Sequence, residues 1–189
     1  MTRPPPADWG AGNATRRANP RDGVNTSSPG ANLVAHSATR RANPRDGVSN
    51  GRGFLLDTNV VSELRRKQPE PRVLRWFENV SDDKLYLSVL TIGEIRRGIV
   101  RLTDQAQQRR LADWLEDTLL PWLGSRLLPV SLAVAEQWGR LCGSAGRPLP
   151  TIDSLLAATS LEHGLTLVTR NHGDFQYPGL RVVNPWSEF

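Results

Sequence analysis

Residues 53–64 read GFLLDTNVVSEL, and the way this stretch is parsed decides the fold. Phe54, Leu55 and Leu56 make an unbroken apolar run that Asp57 ends. A strand that is apolar throughout, rather than alternating, is buried on both faces, which is the habit of parallel strands lying between helix layers. The reading predicts a first strand over 53–57 and a helix from there through about Lys67, stopped by Pro69 and Pro71. Asp57 is the residue that resists a bland reading. A carboxylate terminating a run of Phe, Leu and Leu bears a desolvation cost unless it meets a cation or several donors.

The same alternation continues outward from this stretch. LYLSV (85–89) predicts a second strand, and Thr91 then opens a helix carrying Ile92, Ile95 and Ile99. Leu111, Trp114, Leu115, Thr118 and Leu119 fall at helical spacing in a long amphipathic helix after Thr103, and RLLPV (126–130) predicts a third strand. Ser131 caps a helix through about Cys142, closed by Gly143 and Gly146. Thr151 caps another through His163, with Gly164 as its stop; LTLVT (165–169) predicts a fourth strand and LRVV (180–183) a fifth. Strands and helices in this order predict a parallel sheet covered on both faces.

Four acids fall in related places. Asp57 ends the first strand; Glu94 lies in the first turn of the helix after the second; Asp153 lies in the first turn of the helix opened by Thr151; Asp174 follows the fourth strand in TRNHGDF. In an open parallel sheet the carboxyl ends of the strands share one edge, where ligand crevices form. Gathered there, four carboxylates repel one another unless cations intervene. Oxygen ligands suit Mg²⁺ or Mn²⁺, whereas zinc calls for His and Cys spacings that His36, His163, His172 and Cys142 do not supply. Each acid also has a structural reading: Glu94 as the partner of Thr91 in a capping box, Asp153 as a helix-dipole acid after Thr151, and Asp174 as a turn residue.

Beyond these elements the composition divides. The chain has 189 residues and a net charge of +5, one Cys and one Met. Residues 1–52 hold eight Arg against three Asp together with six Pro, six Gly and six Asn, whereas residues 53–189 carry 16 basic and 16 acidic groups. The leading segment has too few aliphatic residues to offset its chain entropy, so residues 1–52 are expected to be a disordered basic extension and 53–189 the folded domain. Within the extension ATRRANPRDGV occurs twice, at Ala14–Val24 and Ala38–Val48. Two readings stand: an arm that touches nucleic acid, or a passenger ahead of a true start near Val48. A lone Cys forms no internal disulfide, and no apolar run nears the ~18 residues of a membrane span, so a reducing cytoplasm without membrane attachment is the expectation.

The motifs LLDTNVVSEL (55–64), SVLTIGEIRRGI (88–99), IDSLLAATS (152–160) and LVTRNHGDF (167–175) together resemble the PIN domain of the VapC type, the toxin half of bacterial toxin–antitoxin pairs. The resemblance implies a three-layer α/β/α fold around a parallel sheet of four to five strands. It implies Mg²⁺- or Mn²⁺-dependent cleavage of RNA, a homodimer, and inhibition by a cognate antitoxin. By motif position, Asp57, Glu94, Asp153 and Asp174 are the implied metal-binding acids, and Thr58, Thr169 and Asn171 lie beside them to orient the acids or a water. Since Mg²⁺ keeps several waters, Asp57 and Asp153 are expected to touch it directly and Glu94 and Asp174 partly through water.

Around this site Arg96, Arg97 and Arg170 are expected either to hold flanking phosphates or, for the first two, to form a solvated helix face or meet an acidic partner. Trp76, Trp114, Trp122 and Trp138 read as core or interface rather than base-stacking platforms, and Cys142 as a buried small apolar residue. The helices at 73–77 and 111–123 are candidate interface surfaces. An aspartyl-phosphate enzyme is disfavoured, because its Lys has no counterpart beyond Lys67 and Lys84 and a dehalogenase-type second acid is replaced by Asn59. A PIN-like fold that only binds RNA or protein stays open as the alternative.

Overall fold

Strand β1, Phe54–Leu56, occupies the centre of a five-stranded parallel sheet in the order β3-β2-β1-β4-β5, flanked by β2 (Leu85–Ser88) and β4 (Thr166–Val168), with β3 (Leu127–Leu128) and β5 (Arg181–Val183) at the edges. The computed structural model describes residues 53–187. The expected extension over 1–52, with its duplicated segment and the start near Val48, lies outside the described residues. Register is set by pairs such as Leu55 with Tyr86 and Leu55 with Leu167.

Alternation of side chains along the strands builds three layers. Phe54, Leu56, Leu85, Leu87 and Val168 face helices α1 (Thr58–Leu64), α2 (Pro71–Glu78), α3 (Val89–Val100), α4 (Gln105–Trp114) and α5 (Leu120–Leu123). Leu55 and Leu167 face α6 (Leu132–Ser144) and α7 (Thr151–His163) on the other side. Trp76 packs edge-on against Phe54, ring centroids 5.3 Å apart. Val73, Trp76 and Phe77 of α2 and Leu115, Leu119 and Leu123 are buried in this core. The apolar faces expected at 73–77 and 111–123 to form interfaces are thus largely spent within the domain.

Several helix starts differ from the sequence reading. The chain passes from β2 into α3 without a loop, so Ser88 rather than Thr91 is the cap, accepting from the Leu90 N–H at 3.2 Å. Thr91 lies inside the helix, buried, its hydroxyl reaching the Leu56 carbonyl at 3.5 Å. Glu94 therefore sits in the second turn of α3 and belongs to no capping box. Pro150 holds the cap position of α7 and Thr151 is the first helical residue. α4 begins after Thr103 as expected, capped by Asp104 through the Ala106 and Gln107 amides at 2.8 and 3.1 Å. Between α4 and α5 the helix widens into a π turn, Leu115–Leu119, just ahead of Pro121, which offers no N–H to the preceding turn. α1 stops at Leu64 instead of Lys67, because the buried Glu63 carboxylate folds over the next turn, accepting from the Glu70 amide at 3.0 Å and pairing with Arg66 at 3.2 Å. α6 runs past Gly143 to Ser144; Gly164, at φ 63°, ends α7 as expected.

Candidate active site

A parallel sheet whose chain turns outward in both directions from one strand leaves a crevice where the directions diverge, at the carboxyl ends. Here β1 leads to β2 and β3 on one side, and the chain returns to β4 and β5 on the other. Asp57, first after β1, and Thr169, first after β4, stand at that divergence, and the Thr169 hydroxyl donates to Asp57 Oδ2 at 2.7 Å. Asp57 also caps α1, its Oδ1 accepting from the Thr58 amide at 2.6 Å. Thr169 is fully buried and Asp57 is 8% exposed.

The remaining acids gather around this point. Asp57 is raised above the ordinary 3.8, chiefly by burial, partly offset by its bonds from Thr169 and Thr58, with Glu94 and Asp153 adding repulsion. Asp153, half-buried at the start of α7, is raised by burial first and then by Asp174 and Glu94. Asp153 thus feels Glu94 and also Asp174, which lies in the short turn His172–Asp174, and adds to the repulsion on Asp57. The Thr58 hydroxyl donates to Glu94 Oε2 at 2.5 Å, joining α1 to α3. Arg66 pairs with Glu63 and Arg96 with Glu116, so these two arginines give their charge to acids outside the four. Asp153 keeps its place in the first turn of α7 and Asp174 its place in a short turn, as their structural readings have it, while Asp174 also repels Asp153.

Of the polar residues expected beside the acids, Thr58 and Thr169 each hold a carboxylate, while Asn171 is exposed and uses its amide to donate to Thr169 Oγ1 at 3.0 Å. The residue missed is Asn59. Its Nδ2 donates to Asp57 Oδ2 at 2.6 Å and to Thr169 Oγ1 at 2.9 Å, and its Oδ1 accepts from the Arg170 amide at 3.3 Å. Its position two residues after Asp57 was the signal; a neutral amide simply carries no charge to draw the eye. Tyr177 was also missed: its hydroxyl is buried without a hydrogen-bond partner among the described residues, and burial, with Asp153 and Asp174 contributing, pushes it above its ordinary value.

The arginines separate. Arg96 is engaged by Glu116 at 3.0 Å, Arg97 is exposed, and Arg170 is exposed with its guanidinium 5.8 Å from the Trp186 ring. Trp76 and Trp114 are core, and Trp138 donates to Ser154 Oγ at 2.9 Å, so none of these three is a free base platform. Cys142 is half-buried and His172 exposed. A cleft of about 440 Å³ opens beside Thr58 and Glu94, walled by Arg65, Ile95, Leu111 and Trp114. No helix among the described residues is long and apolar enough to cross a membrane.

The chain is 36% identical over 137 residues to the toxin FitB of Neisseria gonorrhoeae, covering 71% of this chain and 99% of that protein. It is 34% identical over 136 residues to the VapC ribonuclease Y4jK of Sinorhizobium fredii, covering 70% of this chain and 97% of that protein. The crystal structure of FitAcB from Neisseria gonorrhoeae matches with a TM-score of 0.66 at 35% identity, over 71% of this chain and 99% of that one. The PIN domain family matches residues 54–177, from the first residue of β1 past the last of the four acids, and the chain belongs to that family.

Proposed function

We propose that this chain is a divalent-metal-dependent endoribonuclease, the toxin of a toxin–antitoxin pair, acting on RNA through Asp57, Glu94, Asp153 and Asp174. The observation that carries this is the electrostatic coupling of the four acids beside the divergence of the sheet: Asp57 is raised by burial with Glu94 and Asp153 adding repulsion, and Asp153 by burial with Asp174 and Glu94 adding it. Similarity to a protein named a ribonuclease and to one named a toxin supports the activity and its context.

The four acids offer oxygen donors alone, the chemistry of a hard divalent ion. Among the described residues no three His, Cys, Asp or Glu side chains stand close enough to enclose an ion. That excludes a closed cage of the structural-zinc kind. What supports Mg²⁺ or Mn²⁺ in this reading is the all-oxygen chemistry of the acids, since Mg²⁺ is usually held by one or two carboxylates and keeps several waters. Asp57 and Asp153 are the residues to hold it, with Glu94 and Asp174 around its waters. When bound, such an ion makes water a better nucleophile and offsets charge growing on the phosphate.

The chain's own part is arrangement. Thr169 and Thr58 hold Asp57 and Glu94 before substrate arrives, so little reorganisation is left for the reaction. Arg170, on the loop that carries Thr169 and Asn171, supplies positive charge to a strand drawn across an acidic rim. A cognate antitoxin and a homodimer follow from the VapC-type resemblance.

The test is RNA cleavage by the purified chain, with chelator added and then Mn²⁺ in excess, beside Asp153→Asn. Loss and recovery in the wild type, with none in the variant, is the expected result. Binding of RNA without cleavage at any Mn²⁺ concentration would favour the alternative, a PIN fold that only binds.

A further inference from the structure

Helix α7 carries Asp153 in its first turn, and that turn starts without the device its neighbours use. Asp57, Ser88, Asp104 and Ser131 each cap a helix with a side-chain oxygen, whereas Pro150, at the cap of α7, has none to offer. Asp174 and Glu94 meanwhile repel Asp153. Helix ends are where fraying begins, so an uncapped turn under this repulsion needs another hold.

The hold comes from α6. The fully buried Ser154 hydroxyl donates to the Thr151 carbonyl at 3.1 Å and accepts from the indole N–H of Trp138 at 2.9 Å. Trp138 is half-buried in the middle of α6, which packs along α7. An indole N–H only donates and a serine hydroxyl has one hydrogen, so the direction of both bonds is fixed, from Trp138 to Ser154 to Thr151. Thr151 and Ser154 bracket Asp153, and the Ser154 amide donates to the Pro150 carbonyl at 2.9 Å at the start of the helix ladder.

We propose that Trp138 is a positioning residue for Asp153: through Ser154 its indole N–H ties the uncapped first turn of α7 to α6 and keeps the Asp153 backbone in one place beside the other acids. The inference rests on the ribonuclease reading above and deepens it, naming a residue that acts without touching RNA or an ion. Packing alone would be served by Phe; the geometry employs the N–H.

The test compares wild type, Trp138→Phe, Ser154→Ala and the double variant, each as the full chain at a temperature where circular dichroism shows it folded. Amide exchange followed by NMR, in chelator and without RNA, reports the turn. In Trp138→Phe the Ser154 and Leu155 amides are expected to exchange about fivefold faster, the worth of one neutral hydrogen bond, while Thr159 and Ser160 keep their protection. Cleavage of a labelled mixed-sequence single-stranded RNA in Mn²⁺ reports the consequence. kcat is expected to fall about 10-fold, within the ~100-fold that a displacement of about 1 Å can cost, with KM unchanged. The double variant falls no further than Ser154→Ala, because both substitutions break one bond. Ser154→Ala serves alone if Trp138→Phe fails to fold.

A Trp138→Phe chain that frays the turn yet keeps the wild-type kcat makes the bond structural only and overturns the proposal, as does unchanged exchange. A raised KM with kcat unchanged places Trp138 on the RNA and overturns it too. Each of these leaves the ribonuclease reading standing, whereas a wild-type chain that cleaves no RNA in Mn²⁺ overturns both.

Discussion

Thr58 Oγ1 and Glu94 Oε2 meet at 2.5 Å across 36 residues of sequence, joining the first residue of α1 to the second turn of α3. Helix α1 begins where Asp57 caps it, so one turn of backbone carries both an acid and the donor that holds another acid. Thr58→Val removes that donor while keeping the branched shape. Cleavage is expected to fall about 10- to 100-fold, with a stability loss of only about 1 kcal/mol. Thr58→Ser should keep most of the activity. Equal rates for Thr58→Val and wild type in an RNA cleavage assay would show that Glu94 needs no holding.

Asp153 makes the acid cluster a cost to the metal-free fold. Its value is raised by burial, then by Asp174 and Glu94. A raised acid favours the folded chain while protonated; that contribution is complete below the unfolded value and is lost as pH climbs through the folded one. At neutral pH both states are ionised, and the folded chain alone carries the repulsion. Asp153→Asn, melted in chelator, is therefore expected to unfold a few degrees above wild type at pH 7, the effect moderated by its half-exposed position. The gap closes toward about pH 4, where the unfolded acid is protonated too. A variant that melts below wild type at pH 7 would contradict the sign.

The sheet was legible because parallel strands between two helix layers are apolar on both faces, and GFLLD, LYLSV and LTLVT have no polar alternation to confuse with surface strands. Asp57 stood out in the sequence because a carboxylate directly after such a strand has few innocent uses. Cap positions were not, since Ser88 and Thr91, or Pro150 and Thr151, compete as neighbours and backbone geometry decides between them. Asn59 escaped because its importance is a count of hydrogen bonds to groups 110 and 111 residues away. The capture of Arg96 by Glu116, 20 residues on, depends on the π turn that presents Glu116, and that turn leaves no periodic signal.

Gly53 opens β1 in a space with no room for a side chain. A Cβ there would lie 2.7 Å from the Lys84 carbonyl oxygen and 2.4 Å from the Tyr86 ring. The ring can turn, but Lys84 leads directly into β2, and the Gly53 carbonyl accepts from the Thr166 amide of β4 at 3.0 Å. Gly53→Ala is expected to destabilise the fold by about 1–3 kcal/mol, the range for overpacking. Urea unfolding with an unchanged midpoint would show that the strands yield to it.

Arg170 and Arg96 differ in what already holds them, and RNA binding should report the difference. The Arg170 backbone is pinned on both sides, its amide donating to Asn59 and its carbonyl accepting from Asn184 Nδ2 at 3.3 Å, while its guanidinium is exposed near Trp186. That leaves a cation on a fixed stem one residue from Thr169. Arg96 gives its charge to Glu116 at 3.0 Å. Binding of single-stranded RNA to an Asp57→Asn background in chelator separates affinity from cleavage. Arg170→Ala should flatten the plot of log affinity against log salt by about 0.7, the value of one phosphate contact on a single strand. Arg96→Ala should leave that slope near the parent's. A flattening for Arg96→Ala with none for Arg170→Ala would move the phosphate contact from the loop after β4 to the face of α3.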